Sequence, residues 1–294
     1  MELRVMKNFL KIAETENITQ ASRELNVAQP HLTRQIKALE DELGVTLFVR
    51  EKKRIHITEA GKFLRQQSDH ILKLVEKTQN QIREMESGIK GTLFLGAIET
   101  LGTSKIPEWI AAFKKEFSDV RYNIWTSNSR DVTERLEKGL VDIAIVREPF
   151  EKEKFNSIHL QDERWIVFIN PEHIFSQKTS PKISLRELSG EELIVPTQRI
   201  KEIENWFKEK NYKANITCSF APISNAAALV QQNLGIAIVP ESTKLSVSDK
   251  NIIIKELEEE RTSGVCVIWR KDVELPGVAK SFLKLLSAYA NSKK

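Results

Sequence analysis

Gln29, Pro30, Thr33, Arg34 and Lys37 crowd one short stretch of the chain, and together they could do recognition chemistry. At helical spacing Gln29, Thr33 and Lys37 share a stripe, with Arg34 beside it. A glutamine amide can pair bidentately with adenine and an arginine with guanine, while lysine suits a phosphate. Pro30 in a first helical turn costs no hydrogen bond and offers apolar surface to a thymine methyl. Few carboxylates interrupt this face before Glu40. Downstream, Arg50, Lys52, Lys53 and Arg54 form a basic run. Lysines there suit phosphates, and an arginine can enter a narrow minor groove. Each of these residues alone would read as solvated surface. Side by side they argue for double-stranded DNA as a partner. His31 is read as incidental, and Arg50 could instead pair with an acid of its own domain.

The elements that must position these groups are legible around them. A short helix from Gln20 to Leu25 is cut at Asn26-Val27, and a second runs from about Ala28 to Leu43 and stops at Gly44. On the second helix Leu32, Ile36, Leu39 and Leu43 fall on one stripe, expected to be buried. Leu3, Met6, Phe9, Leu10 and Ala13 give a preceding helix its apolar stripe. Leu47-Phe48-Val49 and Ile55-His56-Ile57 read as two short strands around the basic run. The pattern over residues 1–58 is a winged helix-turn-helix. Thr58 should cap the next helix, from about Glu59 to Glu86, within a linker at 59–90. Leu64, Ser68, Ile71, Val75, Thr78, Ile82 and Met85 alternate four and three apart, an imperfect coiled-coil seam. Such a stripe predicts dimerisation, with packing against the chain's own domain as the alternative. Gly88-Ile89-Lys90-Gly91 marks a hinge.

From residue 91 to 294 the pattern becomes strand, helix, strand, helix, which argues a parallel, doubly wound α/β region in two lobes around a cleft. Lobe I is expected at about 91–160 and 265–294, and lobe II at about 161–264. Ligands of such folds bind beyond the carboxyl ends of strands. That rule selects Glu99 and Thr100, Ser127 and Ser129, Arg147, Thr197 and Ser224 as candidate effector contacts. Helix capping is the plain alternative for the serines. Arg147 could hold a carboxylate through two hydrogen bonds, and Glu99 on the same rim would favour a zwitterionic or cationic ligand. Equally, Glu99 and Arg147 could pair with each other.

Composition excludes several classes. With 294 residues, 40% hydrophobic and 29% charged, the chain reads as ordinary globular protein of two or three domains. Its net charge of +4 does not itself demand a nucleic-acid partner; the local grouping of charge does. Cys218 and Cys266 lie far apart, giving neither a disulfide framework nor a metal pattern, and they read as buried structural thiols rather than a redox pair. His31, His56, His70, His159 and His173 show no metal-ligand spacing. No catalytic or nucleotide-binding motif is found, so neither an enzyme nor a resident cofactor or metal is expected. No run reaches the roughly 18–20 apolar residues of a membrane span, and the N-terminus lacks signal-peptide character, which places the protein in the cytoplasm.

Phe9, Ala13, Ala21, Leu25, Gln29-Pro30, Leu32, Gln35-Ile36, Leu39-Glu40, Leu43-Gly44, Leu47-Phe48, Arg50 and Thr58-Glu59-Ala60-Gly61 resemble the pattern of LysR-type transcriptional regulators. The resemblance is close over residues 1–61, and the remainder is similar to the family's effector domain, which is like periplasmic binding proteins. It implies a homo-oligomer, often a tetramer, on an interrupted palindrome. It also implies a small effector that alters DNA bending and contact with RNA polymerase. Ala28 departs from the serine usual at that position, which removes a cap, and Thr33 replaces another serine while keeping its hydroxyl. A metabolite-binding enzyme or receptor with a fused DNA-binding head is the alternative reading, since the α/β lobes alone would permit it. A ligand-independent architectural DNA binder is a third, disfavoured by the size of the cleft-forming region.

Overall fold

The computed structural model describes residues 1–51, 54–84, 90–246 and 251–292. The chain divides into two compact units, residues 1–86 and 87–294.

In the first unit α1 (Leu3–Thr15), α2 (Ile18–Leu25) and α3 (Gln29–Leu43) precede β1 (Phe48–Glu51), β2 (Arg54–Ile57) and the long α4 (Glu59–Glu84). The Asn17 side chain caps α2 by accepting from Gln20 N at 3.1 Å, and Asn26, in the left-handed region at φ 53, ends it. That tight turn lets α3 leave at a new angle. Phe9, Ile12, Ala21, Leu32, Ile36, Leu39, Leu47 and Leu64 make the core. Two expected core residues sit at helix ends and are open instead: Leu3 is 42% and Leu43 40% exposed. Asn8 lies in the first helix's buried surface and donates to Gln35 Oε1 at 2.7 Å, which removes the cost of burying its amide.

Two contacts lock the wing to the helices. Glu40 Oε1 accepts from Leu47 N at 2.7 Å and Phe48 N at 3.1 Å. Thr58 Oγ1 accepts from Gly61 N at 3.0 Å and donates to Thr46 O at 2.7 Å, so it caps α4 and ties it to the strand entry. The seam of α4 divides. Leu64 and Ser68 are buried, and α4 packs on α1. Ile71, Thr78 and Ile82 remain exposed, with Val75 half-buried. Packing against its own unit thus covers the first turns of the seam and leaves Ile71, Thr78 and Ile82 exposed. Met85 and the Gly88-Ile89 break lie outside the described residues.

The second unit holds the two lobes. β3 (Gly91–Ile98), α5 (Glu99–Ser104), α6 (Ile106–Glu116), β4 (Val120–Ser127), α7 (Ser129–Glu137) and β5 (Ile143–Arg147) open lobe I. β6 (Phe155–Ile169) then leads into lobe II, with β7 (Lys182–Ile183), α8 (Leu185–Leu188), β8 (Leu193–Pro196), α9 (Ile200–Glu209), β9 (Ile216–Phe220), α10 (Asn225–Gln231), β10 (Ile236–Pro240) and β11 (Ile253–Leu257). β12 (Thr262–Arg270) and α11 (Gly277–Asn291) return to lobe I.

β4-β3-β5 and β9-β8-β10 pair in parallel, but β12 runs antiparallel to both β5 and β6, and β10 and β11 run antiparallel to β6. The expected all-parallel region is thus mixed. The reason is β6, which is one 15-residue strand with its first part in the lobe I sheet and its last in the lobe II sheet. Read from sequence, its polar middle, Gln161 to Arg164, looks like a break between lobes. Each sheet is covered on both faces. Phe113, Phe282 and Leu286 belong to one lobe I layer and Val132, Val146 and Ile268 to the other; Trp206 and Phe207 face Phe168, Ala226 and Val230 across lobe II. Among the described residues no helix is long and apolar enough to cross a membrane.

Candidate nucleic-acid interface and effector cleft

Helix α3 presents two chemically distinct sides. Leu32, Ile36 and Leu39 are buried, whereas Gln29, Pro30, Arg34 and Lys37 are exposed and Thr33 half-buried. Pro30 occupies the first turn, where its missing N–H leaves no bond unmade. Ala28 stands at the N-cap without a side-chain hydrogen bond, and its carbonyl accepts from His31 N at 3.0 Å and Leu32 N at 3.1 Å. Thr33 and Lys37 border a groove shared with Glu40, Thr46, Phe48 and Ile55 at the foot of the wing. The expected carboxylate interruption at Glu40 is held against the wing, its Oε1 accepting from two wing amides. The face that carries Gln29, Thr33, Arg34 and Lys37 is therefore polar and cationic. Lys52 and Lys53 lie outside the described residues; of Arg54 the backbone is described, in β2.

In the second unit, a cleft opens between the lobes. Six of the sequence-selected residues line it: Glu99, Thr100, Ser127, Ser129, Arg147 and Thr197. Ser224 does not; its neighbour Ile223 does, and Ser224 stands just before α10 without a side-chain cap bond. The carboxyl ends of β3, β4, β5 and β8 bring the six together, as strand-end geometry requires.

Their hydrogen bonds differ from the expected Glu99–Arg147 pair. Arg147 Nη2 pairs with Glu163 Oε2, both groups buried, and Glu163 Oε1 accepts from Ser242 N at 2.6 Å. Glu99 Oε2 accepts instead from Ile223 N at 2.9 Å. Glu163 lies in the polar middle of β6, a position whose partners no local pattern could reveal. Ser129 Oγ accepts from Arg147 N at 3.2 Å, and Ser127 Oγ donates to Asp131 Oδ2 at 2.8 Å. Thr100 Oγ1 and Arg147 Nε are buried with no hydrogen-bond partner.

Sequence reasoning also missed Arg199. Its Nη1 pairs with Glu202 at 2.7 Å, and its Nη2 donates to Glu148 O at 2.8 Å in the opposite lobe. Trp165, Phe220, Ile223, Pro196 and Pro240 supply the apolar walls. Around the cleft, three polar ties among the described residues join the lobes: Glu99 to Ile223, Arg199 to Glu148, and Arg147 through Glu163 to Ser242.

Comparison with known proteins assigns both units to one family. Residues 3–62 match the family profile described as the bacterial regulatory helix-turn-helix protein, lysR family, and residues 86–291 match the LysR substrate binding domain. The HTH-type transcriptional regulator YwqM of Bacillus subtilis (strain 168) is 31% identical over 302 residues, covering 97% of this chain and 98% of that protein. The HTH-type transcriptional regulator BsdA of the same organism is 27% identical, covering 97% of this chain and all of that one. The crystal structure of CbnR, a LysR family transcriptional regulator, superposes with a TM-score of 0.80 at 22% identity over 99% of both chains. The chain belongs to the LysR family of DNA-binding transcriptional regulators, with a helix-turn-helix head and an effector-binding domain.

Proposed function

We propose that the protein is an oligomeric regulator that reads an operator with α3 and its wing and answers to a small carboxylate-bearing effector held in the inter-lobe cleft. The single observation that carries the DNA half is the exposed row Gln29, Arg34 and Lys37 backed by the buried row Leu32, Ile36 and Leu39. Gln29, Pro30, Thr33 and Arg34 face base edges in this reading. Lys37, Lys52 and Lys53 hold phosphates, and Arg54 reaches the minor groove. CbnR has been crystallised in complex with its target DNA, and this chain aligns with 100% of that structure's chain at a TM-score of 0.81. The exposed apolar turns of α4, with Ile71, Leu74 and Ile82, support a homodimer through this helix. Two such dimers would form a tetramer and place two heads on a two-fold related site. Contact with RNA polymerase at the promoter completes the reading.

The effector half rests on donors without acceptors. Thr100 Oγ1 and Arg147 Nε are buried and unpartnered at the cleft, and the Ser129 hydroxyl stands beside them. A ligand carboxylate would satisfy these donors. Glu99 sets a negative charge on the same rim, which favours an ammonium on the same ligand and so a zwitterion. No catalytic step is assigned to this cleft. A ligand that strengthens or breaks the three inter-lobe ties would shift the balance of lobe arrangements, which is what an effector must do to change DNA geometry.

Selection of genomic fragments by the full chain, followed by calorimetry with zwitterionic and simple carboxylate metabolites, tests both halves. The reading expects one enriched two-fold symmetric site and saturable binding that Thr100→Val weakens by about 1–3 kcal/mol. Enrichment without any symmetric site, or ligand binding indifferent to both Thr100→Val and Glu99→Gln, would overturn the corresponding half.

A further inference from the structure

Outside the cleft, Cys266, His159 and Glu148 meet on neighbouring strands. Cys266 on β12 is the direct cross-strand partner of His159 on β6, and Glu148 follows the last residue of β5, with its N–H bonded to Gly264 O at 2.9 Å. The Cys266 Sγ lies 3.9 Å from His159 Nδ1. Sulfur, imidazole nitrogen and carboxylate oxygen can all be chosen within 4.8 Å of one another. Two ligand atoms at opposite ends of a tetrahedral edge, with metal–sulfur and metal–nitrogen bonds of about 2.3 and 2.0 Å, stand roughly 3.5 Å apart. The sulfur–nitrogen pair at 3.9 Å lies close to that edge, and the carboxylate oxygen would close in from within 4.8 Å.

The surroundings fit the same chemistry. His159 Nε2 lies 3.3 Å from Asp162 Oδ1, so the ring's other nitrogen is aimed by a carboxylate, as in carboxylate–histidine–metal triads. Gly264 leaves the space into which Glu148 Oε2 and the His159 ring converge; a Cβ there would lie 3.2 Å from His159 Cε1 and overlap the carboxylate oxygen. The opposing charge is Lys152, whose Nζ lies 3.4 Å from Glu148 Oε1 on a side chain 72% exposed and able to swing into solvent. Burial, and then the Glu148 charge, push the Cys266 thiol up to about 12, so this sulfur is inert as a free thiol.

The geometry points to a divalent transition-metal site of the zinc class, with Cys266, His159 and Glu148 as ligands, Asp162 orienting the histidine, and a fourth position left to water. Thiolate and imidazole together select a borderline-soft ion over magnesium or calcium. Binding releases the Cys266 proton to solvent, so affinity rises with pH. Glu148 directly follows Arg147, and its carbonyl accepts from Arg199, so occupancy reaches the cleft through one residue.

Cobalt(II) titration of the full chain, reduced with a non-chelating phosphine, tests this. A thiolate-to-cobalt charge-transfer band should grow to a plateau stoichiometric with chain and vanish when zinc is added. Cys266→Ser should abolish the band and Cys218→Ser should leave it. Should Cys266→Ser fail to fold, His159→Ala, at a half-exposed position, tests the same site and should weaken cobalt binding at least tenfold. Asp162→Asn should weaken it by about 10- to 100-fold. Absence of the band in the folded wild-type chain, its loss in Cys218→Ser, or cobalt affinity unchanged in His159→Ala would overturn the site.

Discussion

For a single side chain, function depends on where its polar atoms are held. Glu40 sits at the edge of the reading face, and two wing amides hold its Oε1 against the wing, so its charge has a fixed position one turn from Lys37. Gly61 shows the complementary constraint of space. A Cβ there would overlap Leu47 O and stand 2.6 Å from Ile57 Cγ1, because the first turn of α4 lies against the strand backbone. Gly61→Ala should destabilise the head by about 1–3 kcal/mol through overpacking, read as a lower urea midpoint with unchanged slope. A wild-type midpoint would contradict the close approach. Gln29, Pro30, Thr33, Arg34 and Lys37 are legible in the sequence because a helix repeats locally, so residues four apart declare a common face. Glu163 and Arg199 are not. Their partners lie 16 and 51 residues away, and only the folded chain brings them together. The same holds for Cys266 and His159, 107 residues apart, which the sequence presents as an isolated thiol and an isolated ring.

At the scale of elements, caps and strand pairings carry the differences from expectation. Periodicity locates α1 to α4 closely, but not which end turns stay open, as Leu3 and Leu43 show. In the sequence β6 reads as a strand that begins at the lobe boundary, because its polar middle breaks the apolar run; in the fold that middle is where the strand passes from one sheet to the other. In lobe II, α8 opens with a capping box in which Ser184 Oγ accepts from Glu187 N and Glu187 Oε2 accepts from Ser184 N at 2.8 Å. Lys178, paired with the same carboxylate, and then the Ser184 amide hold Glu187 down to about 2 from an ordinary 4.5. A carboxylate with a depressed folded-state pKa adds stability that is complete above its unfolded value and drains as pH falls toward the folded one. Acid should therefore weaken lobe II between about pH 4.5 and 2 through this group. Thermal unfolding across that window should show a shallower decline in Glu187→Gln than in wild type. Parallel declines would remove Glu187 from the account.

At the scale of the whole molecule, two units divide the work: one presents a cationic helix face, and the other encloses a cleft whose lobes are tied by Glu99, Arg199 and the Arg147–Glu163 pair. The Glu99 and Arg199 ties, as hydrogen bonds to charged groups, contribute about 1.5–3 kcal/mol each, whereas breaking the buried Arg147–Glu163 pair would cost about 3–5 kcal/mol, so a ligand redistributes the first two most readily. In the proposed function, α3 reads DNA with Gln29 while Lys37 only holds the backbone. Footprinting titrations of wild type, Gln29→Ala and Lys37→Ala, on the selected site and on single-base variants of it, across a series of salt concentrations, test it most directly. Gln29→Ala should cost about 1–3 kcal/mol on the cognate site and lose discrimination at one base pair in each half-site. Lys37→Ala should weaken all sequences alike and reduce the salt slope by about 1 per head. Equal loss of discrimination in both variants, or none in Gln29→Ala, would contradict the assignment of α3 as the reading helix.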